Sequence, residues 1–210
     1  MSVRIDIFQD TVCPWCRIGK AHLFEALARW REEPVEIRWR AFLLDPDAPD
    51  EGRPASVLAA KLGGEARMRQ MHQRICQLGE ACGIDFRFDA VERLPNTRLS
   101  HQLIAITPQT LRTRMVDAIT RAYFEEGRDI GQLSVLLDLA ASLGLDRDET
   151  RVRLEAGEGL ASVEADLAFA REAGITGVPF FIFNDRLAVS GAQPVEVFVQ
   201  ALNEARAMER

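Results

Sequence analysis

The stretch Thr11-Val12-Cys13-Pro14-Trp15-Cys16-Arg17-Ile18-Gly19-Lys20 decides the fold. It follows a run, Val3 to Phe8, in which apolar and charged residues alternate at the two-residue period of a β-strand. Pro14 suits the first position of a helix, because proline has a fixed φ and no N–H to leave unpaired there. The sequence therefore predicts a strand, a short turn and a helix that has Cys13 as its N-cap.

The two cysteines of this stretch are predicted to be redox-active. A thiol at a helix N-cap faces unpaired N–H groups and the positive end of the helix dipole, and both favour the thiolate. We therefore expect Cys13 to be the reactive sulfur. Cys16 lies one turn deeper, where it can attack a mixed disulfide formed at Cys13. Trp15, between them, is expected at the mouth of the site.

Half of a zinc site, or simple burial, is the alternative reading of this pair. Zinc needs further ligands, and the other cysteines, Cys76 and Cys82, are six positions apart rather than at a usual ligand spacing. On one helix they are separated by about 9 Å of rise and lie on different faces, too far apart for a disulfide. We expect no metal, and we expect Cys76 and Cys82 to be buried, with Cys82 in the core.

The composition argues against several classes of partner. The chain has 210 residues and a formal net charge of −6, which does not favour nucleic acid. The local cluster Arg67, Arg69 and Arg74 is interpreted as a solvated helix face. The apolar runs are too short for a membrane span, and the first strand begins where a signal sequence would stand. These features predict a cytoplasmic protein without a nucleic-acid or membrane partner.

The order of the predicted elements indicates an α/β fold with a large helical insertion. Residues 3–40 have a β-α-β pattern, with Ile18, Phe24, Leu27 and Trp30 as the expected buried face of the helix. Helical periodicity then predicts segments near 54–62, 65–82, 97–107, 110–126, 131–143, 147–156 and 160–173, with 85–96 irregular. A hairpin of strands 178–183 and 186–190 and a last helix from Pro194 follow. We expect residues 1–50 and 158–210 to form one discontinuous domain around an inserted helical domain, 51–157.

Several motifs together resemble the thioredoxin fold in its DsbA-type form. They are Cys13-Pro14-Trp15-Cys16 after the first strand, the helical block, and Gly174-Ile175-Thr176-Gly177-Val178-Pro179 before the hairpin. Asn96-Thr97-Arg98-Leu99-Ser100-His101 and Val189-Ser190-Gly191-Ala192-Gln193-Pro194 are similar to patterns of the FrnE-like subgroup. The resemblance covers essentially the whole chain.

This resemblance implies a thiol–disulfide oxidoreductase whose catalytic residues are Cys13 and Cys16. It implies a cis peptide at Val178-Pro179 beside the redox pair, with Pro14 and Trp15 completing the site. A proline inside an apolar strand also removes a ladder donor, which favours an irregularity at that point. An extended substrate is expected to pair with the exposed backbone of Val178. The resemblance further makes Asn96, Thr97 and His101 candidate substrate-binding residues.

Three functions are compatible with these features. The first is a cytoplasmic oxidoreductase that acts on protein or small-molecule disulfides, with no bound cofactor and glutathione as a candidate co-substrate. The second is a glutathione-dependent reaction, because kappa-class glutathione transferases and 2-hydroxychromene-2-carboxylate isomerases resemble this architecture. Those enzymes commonly have serine where Cys13 stands. The third is a peptide-binding or holdase module built on the helical block. Trp15, where the best-known periplasmic DsbA proteins have histidine, adds no positive charge to the thiols.

Overall fold

The computed structural model describes residues 2–208. Its strands are β1 Val3–Gln9, β2 Val35–Ala41, β3 Arg53–Pro54, β4 Arg93–Leu94, β5 Phe180–Phe183 and β6 Leu187–Ser190. Its helices are α1 Pro14–Arg29, α2 Val57–Lys61, α3 Glu65–Ala81, α4 Arg98–Ile106, α5 Gln109–Phe124, α6 Leu133–Ser142, α7 Arg147–Glu155, α8 Leu160–Glu172 and α9 Val195–Ala207. None of the helices in this part of the chain is long and apolar enough to cross a membrane.

The chain divides into two compact units. The first, the sheet unit, contains the chain up to Leu44 and from Asp166 onward, and the second, the helical unit, contains Asp45–Ala165. The sequence placed these boundaries near residues 50 and 158. The structure places them six and eight residues away, because Pro46 and Pro49 mark the loop but not the contacts on either side of it.

The sheet unit is built on four strands in the order β2-β1-β5-β6. β1 runs parallel to β2, as the β-α-β pattern predicts, with Val3 opposite Val35. β5 is antiparallel to both β1 and β6. β1 is the inner strand between the parallel and antiparallel halves, and Val3, Ile5, Ile7 and Phe8 are all 1% exposed or less. This central strand ends directly before the cysteine stretch. The packing of the strand in the core therefore fixes the position at which that stretch begins.

An ion-pair network with two buried carboxylates and a partly exposed arginine joins three elements of the sheet unit. Asp6 of β1 is 4% exposed and Asp166 of α8 is 6% exposed, and Arg40 of β2 binds both. Its Nε lies 2.6 Å from Asp6 Oδ1 and one Nη lies 3.0 Å from Asp166 Oδ1. The second oxygen of Asp166 accepts from the Ala41 amide at 2.9 Å. These contacts attach α8 to the sheet.

The hairpin between β5 and β6 has the turn chemistry that its sequence indicates. Asn184 and Asp185 have φ values of 50° and 58°, the left-handed region that asparagine and aspartate tolerate better than most residues. The Asn184 side chain accepts from the Arg4 amide at 2.8 Å and donates to the Ala205 carbonyl at 3.2 Å. One turn residue therefore attaches the hairpin to both β1 and α9.

The helical unit contains α2 to α7 and a small sheet that the sequence did not predict. Arg53 of β3 lies opposite Leu94 of β4, within the 85–96 segment expected to be irregular. A two-residue strand is too short to show any periodicity, which is why the pattern missed it. The seven helices predicted between residues 54 and 173 are all present, with ends that differ by three residues or fewer, and the predicted last helix begins at Val195.

Two expectations about burial are wrong. Cys76 and Cys82 are half-buried rather than buried, because α3 ends at Ala81 and Cys82 is its C-cap, outside the regular helix. In α1, Phe24, Leu27 and Trp30 are half-buried. The buried positions are Cys16, Ile18, Gly19, Leu23 and Ala26. A count of large apolar residues misses this face because a cysteine, a glycine and an alanine make up much of it.

Candidate active site

Cys13 occupies the N-cap of α1, as the sequence predicts. Its backbone is extended, with φ −94° and ψ 110°, and Pro14 follows at the first helical position. The sulfur makes no hydrogen bond to the N–H groups of the helix end. Instead Cys13 Sγ donates to the carbonyl oxygen of Val178, 3.6 Å away. The residue is 3% exposed, so very little of it is in contact with solvent.

Cys16 is the inner thiol of the pair and is 6% exposed. Burial raises the pKa of Cys16 well above its ordinary value, and the hydrogen bond and charge of Cys13 raise it further. Cys16 is therefore a thiol at neutral pH. Since only a thiolate attacks a disulfide readily, Cys16 is suited to a second step rather than to the first attack.

The expected cis peptide at Val178-Pro179 is present, and it lies at the redox pair. The Val178 carbonyl accepts the hydrogen bond of the Cys13 thiol, and the next residue, Pro179, is buried. Pro14 and Trp15 are half-buried at the start of α1, which agrees with a place for Trp15 at the mouth. Four of the predicted site residues, Cys13, Cys16, Val178 and Pro179, are therefore brought together within the sheet unit.

Asp10 is a site residue that the sequence analysis missed. It is 1% exposed, and its carbonyl accepts from the Cys13 amide at 3.0 Å. One carboxylate oxygen accepts from the Leu44 amide at 2.7 Å. After burial and Cys13, which have the larger effects, Asp10 acts on the pKa of Cys16 in two opposite directions: a hydrogen bond with its backbone lowers the pKa, and its negative charge raises it by less. The signal that could have found it is an aspartate directly after the first strand, three positions before Cys13.

Asn96, Thr97 and His101 lie together at the start of α4, in the helical unit. The Asn96 amide donates to the Ala48 carbonyl at 2.8 Å, and its oxygen accepts from the Arg98 amide at 3.0 Å. Thr97 is the N-cap of α4 and is 5% exposed, and His101 is 3% exposed. These contacts order the beginning of the helix, and a role of the three residues in substrate binding stays a prediction.

Within residues 2–208, no group of three or more His, Cys, Asp or Glu side chains is arranged to hold a metal ion. No disulfide joins the four cysteines, all of which lie in this range. The geometry of the site is that of a dithiol: an outer sulfur against a backbone carbonyl and an inner, protonated sulfur one turn away.

Comparison with known proteins agrees with this geometry. The chain is 34% identical in sequence to a probable DsbA oxidoreductase of Streptomyces coelicolor, with a TM-score of 0.87 over 98% of this chain and 90% of that one. It is 28% identical to the Bacillus subtilis protein YwbO over 206 residues, 97% of this chain and 98% of YwbO. The fold of the cytosolic disulfide reductase DsbM of Pseudomonas aeruginosa, solved with GSH, superposes with a TM-score of 0.69 at 22% identity, over 97% and 99% of the two chains. The model of the DSBA-like thioredoxin domain matches residues 4–203, and the chain belongs to this family of DsbA-type thioredoxin-fold proteins.

Proposed function

We propose that this protein reduces disulfide bonds by dithiol–disulfide exchange through Cys13 and Cys16. One observation carries the proposal: two thiols stand one turn apart at the start of α1, the outer one against the Val178 carbonyl and the inner one protonated by burial. A dithiol with one sulfur at a helix N-cap and a protonated resolving sulfur one turn away is the arrangement that exchange requires.

The exchange has two steps, and both conserve atoms and electrons. The Cys13 thiolate attacks one sulfur of a substrate disulfide, forms a Cys13–substrate bond and releases the other substrate sulfur as a thiolate. Cys16 then loses its proton to a leaving thiolate and attacks Cys13, so that the second substrate thiol departs. The substrate gains two electrons, and Cys13–Cys16 becomes a disulfide. Two molecules of a small thiol restore the dithiol and become its disulfide.

Glutathione is our proposed reductant, and the cytoplasm our proposed compartment. DsbM, whose fold this chain shares, is described as a cytosolic disulfide reductase and was solved with GSH. A cytosolic glutathione pool supplies both the electrons and the thiol in excess. Membership of the FrnE-like subgroup belongs to the same proposal and rests on the motifs at Asn96–His101 and Val189–Pro194. Cell fractionation with an antibody against the protein tests the compartment.

Reduction of insulin by the purified protein, with glutathione as electron donor, tests the proposed activity. We expect wild-type protein to accelerate reduction, and the Cys13→Ser variant to reduce insulin no faster than glutathione alone. Undiminished reduction by Cys13→Ser contradicts the proposal. The alternative is a glutathione-dependent isomerase. Isomerase turnover and glutathione affinity are measured for the wild-type protein and for a Cys16→Ala variant. Tight glutathione binding together with isomerase turnover, both unchanged by Cys16→Ala, supports the isomerase instead.

A further inference from the structure

The ridge of α1 that carries both cysteines continues into two residues without an assigned role. Cys13, Cys16, Gly19 and His22 are spaced by three positions, and residues three apart are neighbours along a helix surface. Gly19 and His22 both meet the far end of the chain, at the turn Ser190–Gln193. The same ridge therefore carries the thiols at one end and contacts this turn at the other.

Because Gly19 has no side chain, Pro179 and Ala192 can approach α1 closely at this position. A Cβ atom added to Gly19 would lie 2.9 Å from Pro179 Cγ and 3.3 Å from the Cα of Ala192. The second distance is to backbone, which cannot rotate away as a side chain could. No residue larger than glycine fits here unless the Pro179 loop or the turn moves.

His22 holds the same turn by a polar contact. Its Nδ1 lies 2.8 Å from the Gln193 carbonyl oxygen. Because a carbonyl only accepts, Nδ1 carries the proton, and this fixes the tautomer of the ring when it is neutral. Two residues one helical turn apart in α1, Gly19 and His22, therefore both contact the segment Ser190–Gln193.

The turn itself is closed internally and bonded to the peptide at the redox pair. The Gln193 amide donates to Gly191 O at 2.9 Å and its side chain donates to Ser190 O at 2.8 Å. The Gly191 amide donates to the Pro179 carbonyl at 2.8 Å. Gly191 has a φ of +83°, a conformation that favours glycine. A short connected path thus leads from α1 through the turn to Pro179, beside the Val178 carbonyl that receives Cys13.

We propose that Gly19, His22 and the turn Ser190–Gln193 are positioning elements, which hold the Val178-Pro179 peptide at the distance from Cys13 that disulfide exchange needs. The inference rests on the proposed function. It also gives a physical reason for the Ser-Gly-Ala-Gln sequence: Gly191 for its φ, Ala192 for close packing on Gly19, and Gln193 to close the turn and present its carbonyl to His22.

Two properties should change when this support is disturbed. A displaced Val178 backbone offers a poorer edge for an extended substrate, so exchange with a peptide disulfide slows. The hydrogen bond from Cys13 to Val178 exists only while Cys13 is a thiol, so its loss disfavours the reduced protein. The equilibrium constant for reduction of the Cys13–Cys16 disulfide by glutathione should then fall.

Gly19→Ala and Gly177→Ala are a matched pair for the test. Gly177 is two residues before Pro179, and a Cβ added there meets nothing within 4 Å. In full-length Gly19→Ala protein we expect the rate of exchange with a peptide disulfide to fall about five- to tenfold, the loss expected for one hydrogen bond. The equilibrium constant with glutathione should fall several-fold. Gly177→Ala should match wild type in both.

His22→Leu and His22→Asn keep the inference testable if Gly19→Ala does not fold. Asparagine places an N–H donor near the position of Nδ1, whereas leucine has none. We expect His22→Leu to lower both quantities and His22→Asn to restore them in part. Unchanged exchange and an unchanged equilibrium constant in Gly19→Ala and His22→Leu, in an active wild-type background, overturn the inference. An inactive wild type instead overturns the proposed function.

Discussion

Cys13 Sγ and the Val178 carbonyl oxygen lie 3.6 Å apart, although 165 positions separate the two residues in sequence. The contact joins the first helix of the chain to the entrance of the last hairpin. The chain between these two segments contains β2, which belongs to the same sheet, and the helical unit Asp45–Ala165. The reactive sulfur of the proposed exchange is therefore positioned by a backbone atom from the other end of the fold.

The pH dependence of the second step of exchange follows from Cys16. Burial raises the pKa of this thiol well above its ordinary value, and that cause persists when Cys13 is in a mixed disulfide. The thiolate fraction of Cys16 is then small at neutral pH. As long as the pH is below the pKa, this fraction grows about tenfold for each unit by which the pH rises. We expect resolution of a preformed mixed disulfide, followed by stopped-flow release of the second thiol, to accelerate steadily from slightly acidic to alkaline pH. A rate constant independent of pH contradicts a protonated Cys16.

Arg40 should contribute strongly to the stability of the sheet unit. Burial acts to lower the pKa of Arg40, but its hydrogen bonds and ion pairs with Asp6 and Asp166 outweigh burial and raise it. Removing this guanidinium leaves two buried carboxylates, although Arg4 remains 3.6 Å from Asp6. Because both carboxylates are buried but the Arg40 side chain is 36% exposed, we expect Arg40→Met to lower the free energy of unfolding by about 2 kcal/mol, measured by urea denaturation.

The control for Arg40 stands two residues away on the same strand. Arg38 pairs with Glu36 at 2.7 Å, but the two side chains are 41% and 45% exposed. A surface pair of this kind contributes less than about 1 kcal/mol. Equal losses of stability in Arg38→Met and Arg40→Met would show that the Asp6–Arg40–Asp166 network does not stabilise the fold as its burial indicates.

Asn184 should matter for its backbone conformation as well as for its hydrogen bonds. Asn184→Ala and Asn184→Gly both remove the bonds to Arg4 and Ala205. Only alanine is strained at a φ of 50°. Thermal unfolding should therefore show that Asn184→Ala is less stable than Asn184→Gly by about 1 kcal/mol. Equal stability of the two variants contradicts a strained turn at this position.

Cys76 and Cys82 should not form a second redox pair. The Cys76 thiol donates to the Phe86 carbonyl at 3.4 Å. Burial raises the pKa of Cys76, and the charges of Glu80, Asp85 and Asp89 raise it further. In a Cys13→Ser/Cys16→Ser variant, we expect iodoacetamide to modify Cys76 several-fold more slowly than a model peptide thiol. Peptide mapping after mild diamide oxidation should find no Cys76–Cys82 bond, and finding one would refute this expectation.

Local patterns predicted most of this fold because the elements follow local rules. The alternation of Val3 to Phe8, the position of Pro14 and the pair Asn184-Asp185 each act over a few residues. The motif resemblance predicted the cis peptide at Val178-Pro179. The missed features depend on distant contacts. The Asp10 carboxylate accepts from the Leu44 amide and its charge acts on Cys16, and neither contact is visible in a local sequence pattern.

Small residues explain the remaining errors. Gly19 is buried because the Pro179 loop approaches it, and no helical periodicity of large apolar residues records such an approach. Cys82 falls on the apolar stripe of α3 in sequence but lies past the end of the helix in the structure. A pattern gives the face of a helix only as far as the helix continues.

Trapping the mixed disulfide tests the central claim most directly. Full-length Cys16→Ser protein is incubated with a peptide disulfide, and the product is mapped by mass spectrometry under non-reducing conditions. The account predicts that one peptide becomes attached to Cys13, that the adduct persists, and that wild-type protein releases it. An unmodified Cys13, or attachment at Cys76 or Cys82 in its place, would contradict disulfide exchange through Cys13.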